Sequence, residues 1–254
     1  MMRLVAPSTG GNPPVTPTLG KVYGIGVGNG DPEQLTIRGY RVLRQADVLA
    51  FPAGPKGQPG IAQAMLRLYG QSHQELLPLQ LPLAADHGVL RAAWQTAVIN
   101  MLPYVRAGKT LAFMAEGDLG LYSSFAFIMH GLKERHPDLV VEMVPGVSSA
   151  IAAAARLGIP LTTGADRLII LPQLRSLEEL AAALDWAEVV VLLDVAPVYR
   201  EVWELLAEKG LLSLSQVIAW NAVAHHRVWS DLTFYAQLNL PRQSLLWVRR
   251  SLTT

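Results

Sequence analysis

Short apolar runs and longer amphipathic stretches follow one another along most of the chain, and this alternation predicts strands and helices in turn. Apolar runs between Gly or Pro residues are typical of strands, whereas apolar residues three and four positions apart indicate helices. The predicted strands are Lys21–Val27, Asp47–Pro52, Glu75–Leu83, Thr110–Ala115, Val140–Val144, Arg167–Leu171, Glu188–Val195, Gln216–Val223 and Ser244–Arg249. The predicted helices are Pro32 to Ala46, Ile61–Tyr69, His87 to Gly108, Ser123–Arg135, Ser148–Leu157, Ser176 to Trp186 and Pro197–Lys209, with a short one near Asp231–Gln237.

Two of the helix starts carry a capping-box pattern, in which the first side chain and a Glu or Gln three residues later exchange hydrogen bonds with the backbone. Asp31 with Gln34 predicts one start, with Pro32 at the first helical position, and Ser176 with Glu179 predicts another. Strands that alternate with helices predict an α/β protein with mostly parallel strand pairing in each half.

Composition and spacing divide the chain into a tail and two halves. Residues 1–18 are rich in Pro, Gly, Ser and Thr and lack the apolar stretch of a secretory signal, so we expect a flexible tail. We predict an N-terminal α/β domain over residues 19–145 and a C-terminal α/β domain over residues 146–254.

The overall composition narrows the classes of function. Hydrophobic residues make up 51% of the chain and charged residues 16%, which is typical of a folded protein with a large core. The net charge of +1 gives no general attraction to nucleic acid or to a membrane surface. The absence of Cys excludes disulfides, thiolate zinc sites and Cys nucleophiles, and it is compatible with the reducing cytoplasm. We therefore expect a cytoplasmic protein that binds neither nucleic acid nor a membrane.

A glycine-rich segment, Gly24–Asp31, follows the first predicted strand. Such turns between a strand and a helix can bind phosphate, as in dinucleotide folds. The spacing G-x-G-x-G-D departs from that fingerprint, and Asp31 places a carboxylate where a pyrophosphate would lie. The segment is therefore either a plain tight turn or a loop beside another kind of ligand.

Two further segments leave the ends of predicted strands, where α/β sheets place their ligands. In Glu116–Ser124, Gly117 and Gly120 let the backbone approach a ligand closely, and Tyr122 offers an aromatic face and a hydroxyl. Val144–Ser149 enters a helix of small residues whose first N–H groups can meet a polar ligand. Helix capping and close helix–sheet packing are the alternative explanations, and capping can coexist with ligand binding.

The order and separation of these three segments resemble those of the tetrapyrrole (corrin/porphyrin) methyltransferase family. The stretches ADVLAFP, EGDLGLYSSF and VPGVSSAIAAAARLGIPL are most similar to the branch that methylates precorrin-2 at C20. The resemblance implies a two-domain α/β tetrapyrrole methylase fold, with mixed sheets flanked by helices and an interdomain cleft. It also implies S-adenosyl-L-methionine-dependent methylation of a small-molecule tetrapyrrole in cobalamin (vitamin B12) biosynthesis.

The same resemblance implies roles for individual positions. Family members hold S-adenosyl-L-methionine in the cleft with two segments. They correspond here to the loop at Gly117 and Asp118 (the Gly-Asp loop) and to Pro145–Ser149 (the Pro-Gly-Val-Ser-Ser bend). The glycine-rich loop of the family lies on the tetrapyrrole side. The positions implied to bind the cofactor are Asn29, Gly117, Asp118, Leu119, Tyr122, Ser123, Ser148, Ser149, Leu193 and Ala222. The positions implied to border the substrate are Gly26, Gly28, Gly30 and Asp31. A homodimer is expected from the family alone.

The chain departs from the family pattern at three places. Asn29 and Leu119 stand where the family usually has Pro, and Leu193 with Asp194 stands where this branch usually has a Met-Lys pair. Since Pro pre-sets the backbone angle of a loop, the loss of the two Pro residues predicts a looser or reshaped site.

Methyl transfer from a sulfonium depends mainly on aligning the acceptor carbon, the methyl group and the sulfur, so we assign neither a general base nor a metal. A tetrapyrrole carries several carboxylates, for which the cleft should offer cations. The candidate cations are Lys56, His87, Arg91, His225, His226 and Arg227. Neighbouring strand residues point in opposite directions, which argues against a metal shared by the two adjacent His residues. Three Trp residues have helical core spacing and are expected to pack in the core: Trp94, Trp186 and Trp203.

Three other functions stay open at this point. The chain is alternatively a methyltransferase for another ring position or for the cobalt-containing intermediate, or a non-catalytic relative that binds tetrapyrrole or cofactor. A nicotinamide-binding protein is a more distant alternative, which the glycine spacing disfavours.

Overall fold

The computed structural model describes residues 18–53, 60–82, 86–222 and 225–250, which form two five-stranded sheets with flanking helices. The strands of the first sheet are β1 (Val22–Gly26), β2 (Val48–Ala53), β3 (Glu75–Gln80), β4 (Leu111–Ala115) and β5 (Val141–Val144). The strands of the second sheet are β6 (Leu168–Leu171), β7 (Val189–Leu192), β8 (Ser215–Ala222), β9 (His225–Ser230) and β10 (Ser244–Arg249). The α-helices are α1 (Ile37–Gln45), α2 (Ile61–Tyr69), α3 (His87–Arg106), α4 (Phe125–Arg135), α5 (Ser149–Leu157), α6 (Leu177–Trp186) and α7 (Tyr199–Glu208).

The first sheet has the order β3-β2-β4-β1-β5, and every pairing in it is parallel. Helices α3 and α4 bury apolar side chains such as Met101 and Ile128 against one face. Helices α1 and α2 bury Leu43 and Met65 against the other face. Because both faces are covered, β4 is buried at every position, as expected for a central parallel strand. The predicted parallel pairing is confirmed for this half.

The second sheet has the order β6-β7-β10-β8-β9, and its pairings are mixed. Only β6 and β7 are parallel, whereas β10 runs antiparallel to both β7 and β8, and β8 runs antiparallel to β9. The prediction of mostly parallel pairing is therefore wrong for this half. The reason is the β8–β9 hairpin, whose second strand the apolar pattern did not reveal, and the return of β10 into the middle of the sheet.

Helix α5 packs on the second sheet, although it follows directly on the last strand of the first. Its small side chains, Ala150 and Ala152 to Ala154, lie in one cluster with Val191, Ile218 and Trp247. Helices α6 and α7 cover the opposite face, with Leu184 among their buried side chains. The chain thus passes from one sheet to the other between β5 and α5.

The capping box predicted at Asp31 is wrong. Asp31 caps only a 3₁₀ turn, Pro32–Gln34, and α1 begins separately after Thr36, whose side chain accepts from the N–H of Gly39. The Gln34 side chain accepts from the backbone N–H of Asn29, 2.9 Å away, so it braces the glycine-rich loop instead of the helix start.

Of the two hydrogen bonds expected for the second capping box, only one is formed. Ser176 accepts from the N–H of Glu179 at 3.3 Å, as predicted, whereas the Glu179 carboxylate accepts from the N–H of Arg175 at 3.1 Å. Of the Trp residues predicted to lie in the core, Trp94 and Trp203 are half-buried, but Trp186 is 54% exposed under the guanidinium of Arg167. Within the described residues, no helix is long and apolar enough to cross a membrane.

Candidate active site

Three glycines from three different strand ends meet at the carboxyl edge of the first sheet. Strand β1 lies between β4 and β5, so the loops that follow these strands are neighbours. A Cβ on Gly146 would lie 2.3 Å from the carbonyl oxygen of Gly117 and 2.6 Å from the carbonyl carbon of Gly26. A Cβ on Gly26 would lie 2.7 Å from the same Gly117 oxygen. Only residues without a side chain therefore fit at positions 26 and 146. We call the meeting point of the three glycines the glycine junction.

The glycine-rich loop is joined to the Gly-Asp loop by a reciprocal pair of backbone hydrogen bonds. Gly28 N–H donates to the Gly117 carbonyl at 3.2 Å, and Gly117 N–H donates to the Gly28 carbonyl at 2.8 Å. Both residues have positive φ, +72° at Gly28 and +69° at Gly117, which side chains disfavour. The two loops are therefore held together by a geometry that depends on Gly at both positions.

Asp118 ties the Gly-Asp loop to the Pro-Gly-Val-Ser-Ser bend. Its Oδ2 accepts from the N–H of Gly146 at 2.7 Å, and its Oδ1 accepts from the N–H of Gly120 at 2.7 Å. Both carboxylate oxygens thus accept backbone hydrogen bonds, which are strong because the acceptor is charged. Asp118 fixes the two bends against each other.

Asn29 forms the third connection, between the glycine-rich loop and the same bend. Its side-chain Nδ2 donates to the Val147 carbonyl at 3.0 Å, and its backbone N–H donates to Gln34. The residue is only 9% exposed. A Pro here would have neither donor. The two hydrogen bonds restrain the loop in place of the missing ring, contrary to the looser site that the loss of Pro suggested.

Leu119, at the other place where the family usually has Pro, serves a packing role. Its side chain is 2% exposed and belongs to the core beneath α3 and α4. Together with the Asp118–Gly120 hydrogen bond, this burial holds the loop from the side opposite the cleft.

A cavity of about 220 Å³ lies beside the glycine junction, between the two sheets. Seven of the residues implied to bind a cofactor line it, and they are Asn29, Gly117, Asp118, Tyr122, Ser148, Ser149 and Leu193. The structure brings these residues together although they are up to 164 positions apart in sequence. The cavity is also lined by residues that the sequence did not single out as ligand contacts: Glu116, Leu121, Trp220, Gln243, Ser244 and Leu245.

The other candidate positions whose side chains the structure describes lie outside the lining of this cavity. Ser123 accepts from the N–H of Phe125 at the start of α4, and Ala222 is the last residue of β8. Gly26, Gly28, Gly30 and Asp31 belong to the glycine junction and its loop. The Asp31 carboxylate lies 2.8 Å from the guanidinium of Arg156 in α5 and so joins the loop to the second sheet's helix.

The antiparallel pairing in the second sheet determines which of its residues line the cavity. Because β10 runs opposite to β7, the start of β10 lies beside the end of β7, with Leu246 paired to Leu192. Ser244 and Leu245 therefore reach the cavity next to Leu193. The sequence pattern located β10 correctly but gave no sign of its direction, so these contacts were missed.

Two hydrogen bonds cross between the sheets at the cavity. Tyr122, with a strained φ of +55°, donates from its hydroxyl to the Ile170 carbonyl at the other sheet, 2.8 Å away. Gln243 donates from Nε2 to Glu116 Oε2 at 2.9 Å. Tyr122, Glu116 and Gln243 line the cavity, so both hydrogen bonds lie at its border.

Helix α5 begins at the cavity, with Ser148 as its N-cap. The Ser148 hydroxyl accepts from the N–H of Ile151 at 3.4 Å, so capping is confirmed. The N-terminus of a helix carries unpaired N–H groups and a partial positive charge, which favour an anionic group. Leu193, Trp220 and Leu245 give the opposite wall an apolar character.

None of the candidate cations whose side chains the structure describes lines this cavity. Lys56 lies outside the described residues. His87 and Arg91 line a separate groove between α3 and α4, where Trp94 stacks on Phe127 at 3.8 Å. Among the remaining candidates on β9, which are His225, His226 and Arg227, the Arg227 guanidinium lies over the Trp229 ring at 4.7 Å. In the part of the chain that the structure describes, no three His, Asp or Glu side chains converge as a metal site.

The sheets and the cleft define a class of protein: an α/β protein with two sheets and a cavity at strand ends between them, where such folds place their ligands. Residues 21–228 match the tetrapyrrole (corrin/porphyrin) methylases, and the chain belongs to this family.

The chain is also similar to individual members of this family. The chain is 30% identical to the cobalt-precorrin-2 C(20)-methyltransferase of Salmonella typhimurium, over 84% of this chain and 89% of the relative. It is also 30% identical to the precorrin-2 C(20)-methyltransferase of Sinorhizobium sp, over 76% of this chain and 81% of the relative. The crystal structure of uroporphyrin-III C-methyl transferase from Thermus thermophilus, a complex with S-adenosyl homocysteine, superposes with a TM-score of 0.61. That protein is 18% identical, and the match covers 91% of this chain and 97% of that one, so it shows the shared fold.

Proposed function

We propose that this chain transfers a methyl group from S-adenosyl-L-methionine to C20 of a precorrin-2-type tetrapyrrole in cobalamin biosynthesis. The observation that carries the proposal is the cavity at the glycine junction, which has the Gly-Asp loop on one side and the start of α5 on the other. Two relatives of equal identity bear names for this reaction, one of them with the cobalt-containing substrate.

The residues around the cavity fit the donor molecule. A Cβ at Gly117 would meet nothing closer than Asn29 Oδ1 at 3.8 Å, so the missing side chain leaves room beside exposed backbone. The N–H groups at the start of α5 would receive the carboxylate of the methionine part. The apolar wall of Leu193, Trp220 and Leu245 would lie against the adenine ring. These assignments agree in chemistry with the cofactor positions that the sequence implied.

The bound donor would supply an activated methyl group on a positively charged sulfur. The protein's contribution is then alignment, since holding the acceptor carbon and the methyl group on one line can supply ~7–11 kcal/mol of the barrier. The glycine junction and Asp118 fix the donor side, and the two hydrogen bonds across the cleft set the distance between the sheets. No side chain is assigned as a general base.

The proposal extends to the tetrapyrrole side and to assembly. The glycine-rich loop, Gly26 to Asp31, would border the tetrapyrrole, and residues 19–145 and 146–254 would form the two domains. We also propose a cytoplasmic homodimer, which light scattering would test by a molar mass twice that of the 27.6 kDa chain.

The experiment that tests the function is turnover with S-adenosyl-L-methionine carrying a deuterated methyl group. Metal-free and cobalt-containing precorrin-2 are offered separately, and the products are analysed by mass spectrometry and carbon NMR. The proposal predicts one labelled methyl group at C20 with one of the two substrates. A product labelled at another ring position would refute the assigned position, and the absence of any labelled product with either substrate would refute the reaction.

A further inference from the structure

We infer that Arg156 binds a carboxylate of the tetrapyrrole and so contributes to recognition of the methyl acceptor. The inference rests on the proposed function, because it assumes that the glycine-rich loop borders the tetrapyrrole. It assigns a role to a residue in the last turn of α5 that neither the motifs nor the resemblance had singled out.

The glycine-rich loop runs alongside α5. The Asn29 side chain donates at 3.0 Å to the carbonyl of Val147, which directly precedes the N-cap of α5. Two residues further along the loop, the Asp31 carboxylate lies 2.8 Å from the guanidinium of Arg156, near the other end of the helix. A ligand that lies against this loop would therefore also meet α5.

Helix α5 connects the cavity at the glycine junction with Arg156. Ser148 and Ser149, at the start of the helix, line the cavity. Arg156 follows Ser149 by seven positions, so the two side chains lie on the same side of the helix and about 10 Å apart along its axis. The neighbouring row runs from Ser148 to Ile151, which is 52% exposed. A methyl acceptor at the mouth of the cavity can thus lie across Ile151 and reach Arg156 with one of its arms.

The chemistry of the acceptor calls for a cation at such a distance. A precorrin-2-type tetrapyrrole carries acetate and propionate arms around its macrocycle, and these carboxylates are ionised at neutral pH. C20 lies at the edge of the macrocycle between two pyrrole rings, and the arms of those rings extend away from it. A carboxylate is therefore recognised outside the cavity that holds the methyl donor, where Arg156 lies.

Asp31 holds the guanidinium beside the loop and leaves donors for the substrate. The contact with Asp31 is made through Nη2 of Arg156, and the other Asp31 oxygen accepts from the N–H of Glu33 at 3.0 Å. The Arg156 side chain is 35% exposed. A guanidinium has five N–H donors in a planar fork that suits carboxylates, so its other nitrogens can donate to a second carboxylate.

The test is steady-state methyl transfer by the full-length chain and by Arg156→Gln. The acceptor is whichever of metal-free and cobalt-containing precorrin-2 the unaltered chain methylates. Because a lost charge-assisted hydrogen bond corresponds to about tenfold in affinity, KM for the tetrapyrrole should rise about tenfold while kcat changes less than about threefold. Arg156→Lys keeps the charge without the planar fork, so its KM should lie between the other two values.

Two further readouts separate substrate recognition from a purely structural role. In Arg156→Gln, calorimetry should show the affinity for S-adenosyl-L-homocysteine changed by less than about twofold, because the cavity lies about 10 Å away along the helix. Added salt should raise KM for the tetrapyrrole more strongly in the unaltered chain than in Arg156→Gln, since salt screens the contact between the guanidinium and the substrate carboxylate.

Arg200→Gln is the matched control. Arg200 is 55% exposed on α7, pairs with Glu204 at 2.7 Å, and lies on the helix layer opposite α5. Its substitution removes an Arg from a comparable ion pair away from the cleft, so KM and the affinity for S-adenosyl-L-homocysteine should stay unchanged.

Each remaining outcome separates the inference from the proposed function. An unchanged KM for the tetrapyrrole in Arg156→Gln would overturn the inference and leave the proposed function standing. A rise in KM matched by an equal loss of affinity for S-adenosyl-L-homocysteine would overturn it as well, because it would indicate a structural role. If the unaltered chain methylated neither substrate, the proposed function itself would fail, and the inference with it.

Discussion

Gly146→Ala is the substitution to which the proposed site should be most sensitive. The new methyl group would lie 2.3 Å from the carbonyl oxygen of Gly117 and within 2.7 Å of two backbone atoms of Gly26. Contacts of Cβ atoms closer than 3.0 Å are essentially never found, so the bends must separate by about 0.7 Å. No flexible side chain is available to absorb the change, because the opposing atoms are all backbone.

This displacement should affect stability moderately and function strongly. Inserting a methyl group into a packed region costs about 1–3 kcal/mol, so the chain should still fold. A misplacement approaching 1 Å in a site that works by alignment can lower activity by about 100-fold. We therefore expect Gly146→Ala to lose roughly tenfold to a hundredfold in kcat/KM and to bind S-adenosyl-L-homocysteine more weakly.

The assay combines thermal unfolding, calorimetry with S-adenosyl-L-homocysteine and turnover, with Gly158→Ala as control. Gly158 has a φ of +69° at the end of α5, and a Cβ there would meet nothing within 4 Å. Its substitution should cost about 1–2 kcal/mol of backbone strain and leave the cleft unchanged. Unchanged affinity and turnover in Gly146→Ala, in a folded protein, would refute the argument from the glycine junction.

Three further predictions concern single interactions. Asn29→Asp keeps the shape of the side chain but places an oxygen against the Val147 carbonyl, to which Nδ2 now donates. Because that hydrogen bond is lost, calorimetry should show the affinity for the cofactor reduced about tenfold. Unchanged affinity would contradict this prediction. Arg249→Met removes the cation that pairs with the buried carboxylate of Asp166. Denaturant titration should show the free energy of unfolding lowered by about 3–5 kcal/mol. A loss below about 1 kcal/mol would contradict this prediction. The Arg167 guanidinium lowers the pKa of Glu188 from 4.5 to about 2, so its stabilising effect is present above pH 4.5 and is lost as the pH falls toward 2. The difference in melting temperature between the chain and Glu188→Gln should shrink over that range, and a constant difference would refute the assignment.

The first half of the fold could be predicted from the sequence because its local and long-range patterns agree. Most strands of the first sheet are short apolar runs and each strand is followed by a helix, and parallel pairing follows from that order. The limits of α2 were predicted without error as Ile61–Tyr69. The exception was the start of α1, where the backbone N–H of Asn29 takes the Gln34 side-chain oxygen that the capping box needed.

The second half was harder to predict because its strand directions depend on tertiary pairing. Strand β9 begins with His225 and His226 and contains Arg227, so it lacks a run of apolar residues. Without that strand, nothing in the sequence pattern predicts a hairpin or an antiparallel β10. The direction of β10 in turn decides that Gln243 and Leu245 reach the cavity.

One wall of the candidate site was predictable because continuous stretches of sequence form it. The Gly-Asp loop and the start of α5 are continuous motifs that directly follow strands, where α/β sheets place their ligands, and the structure brings them into contact through Asp118 and Gly146. The facing wall includes Trp220 and Leu245, which look like ordinary strand residues in the sequence. Nothing local distinguishes a core Trp from one that borders a cavity.

A crystal structure of the chain soaked with S-adenosyl-L-homocysteine would test the central claim most directly. We predict electron density for the molecule between the Gly-Asp loop and the first turn of α5, with its sulfur near Gly117 and its carboxylate at Ser148 and Ser149. Density at any other place on the protein, with this cavity filled only by solvent, would contradict the account.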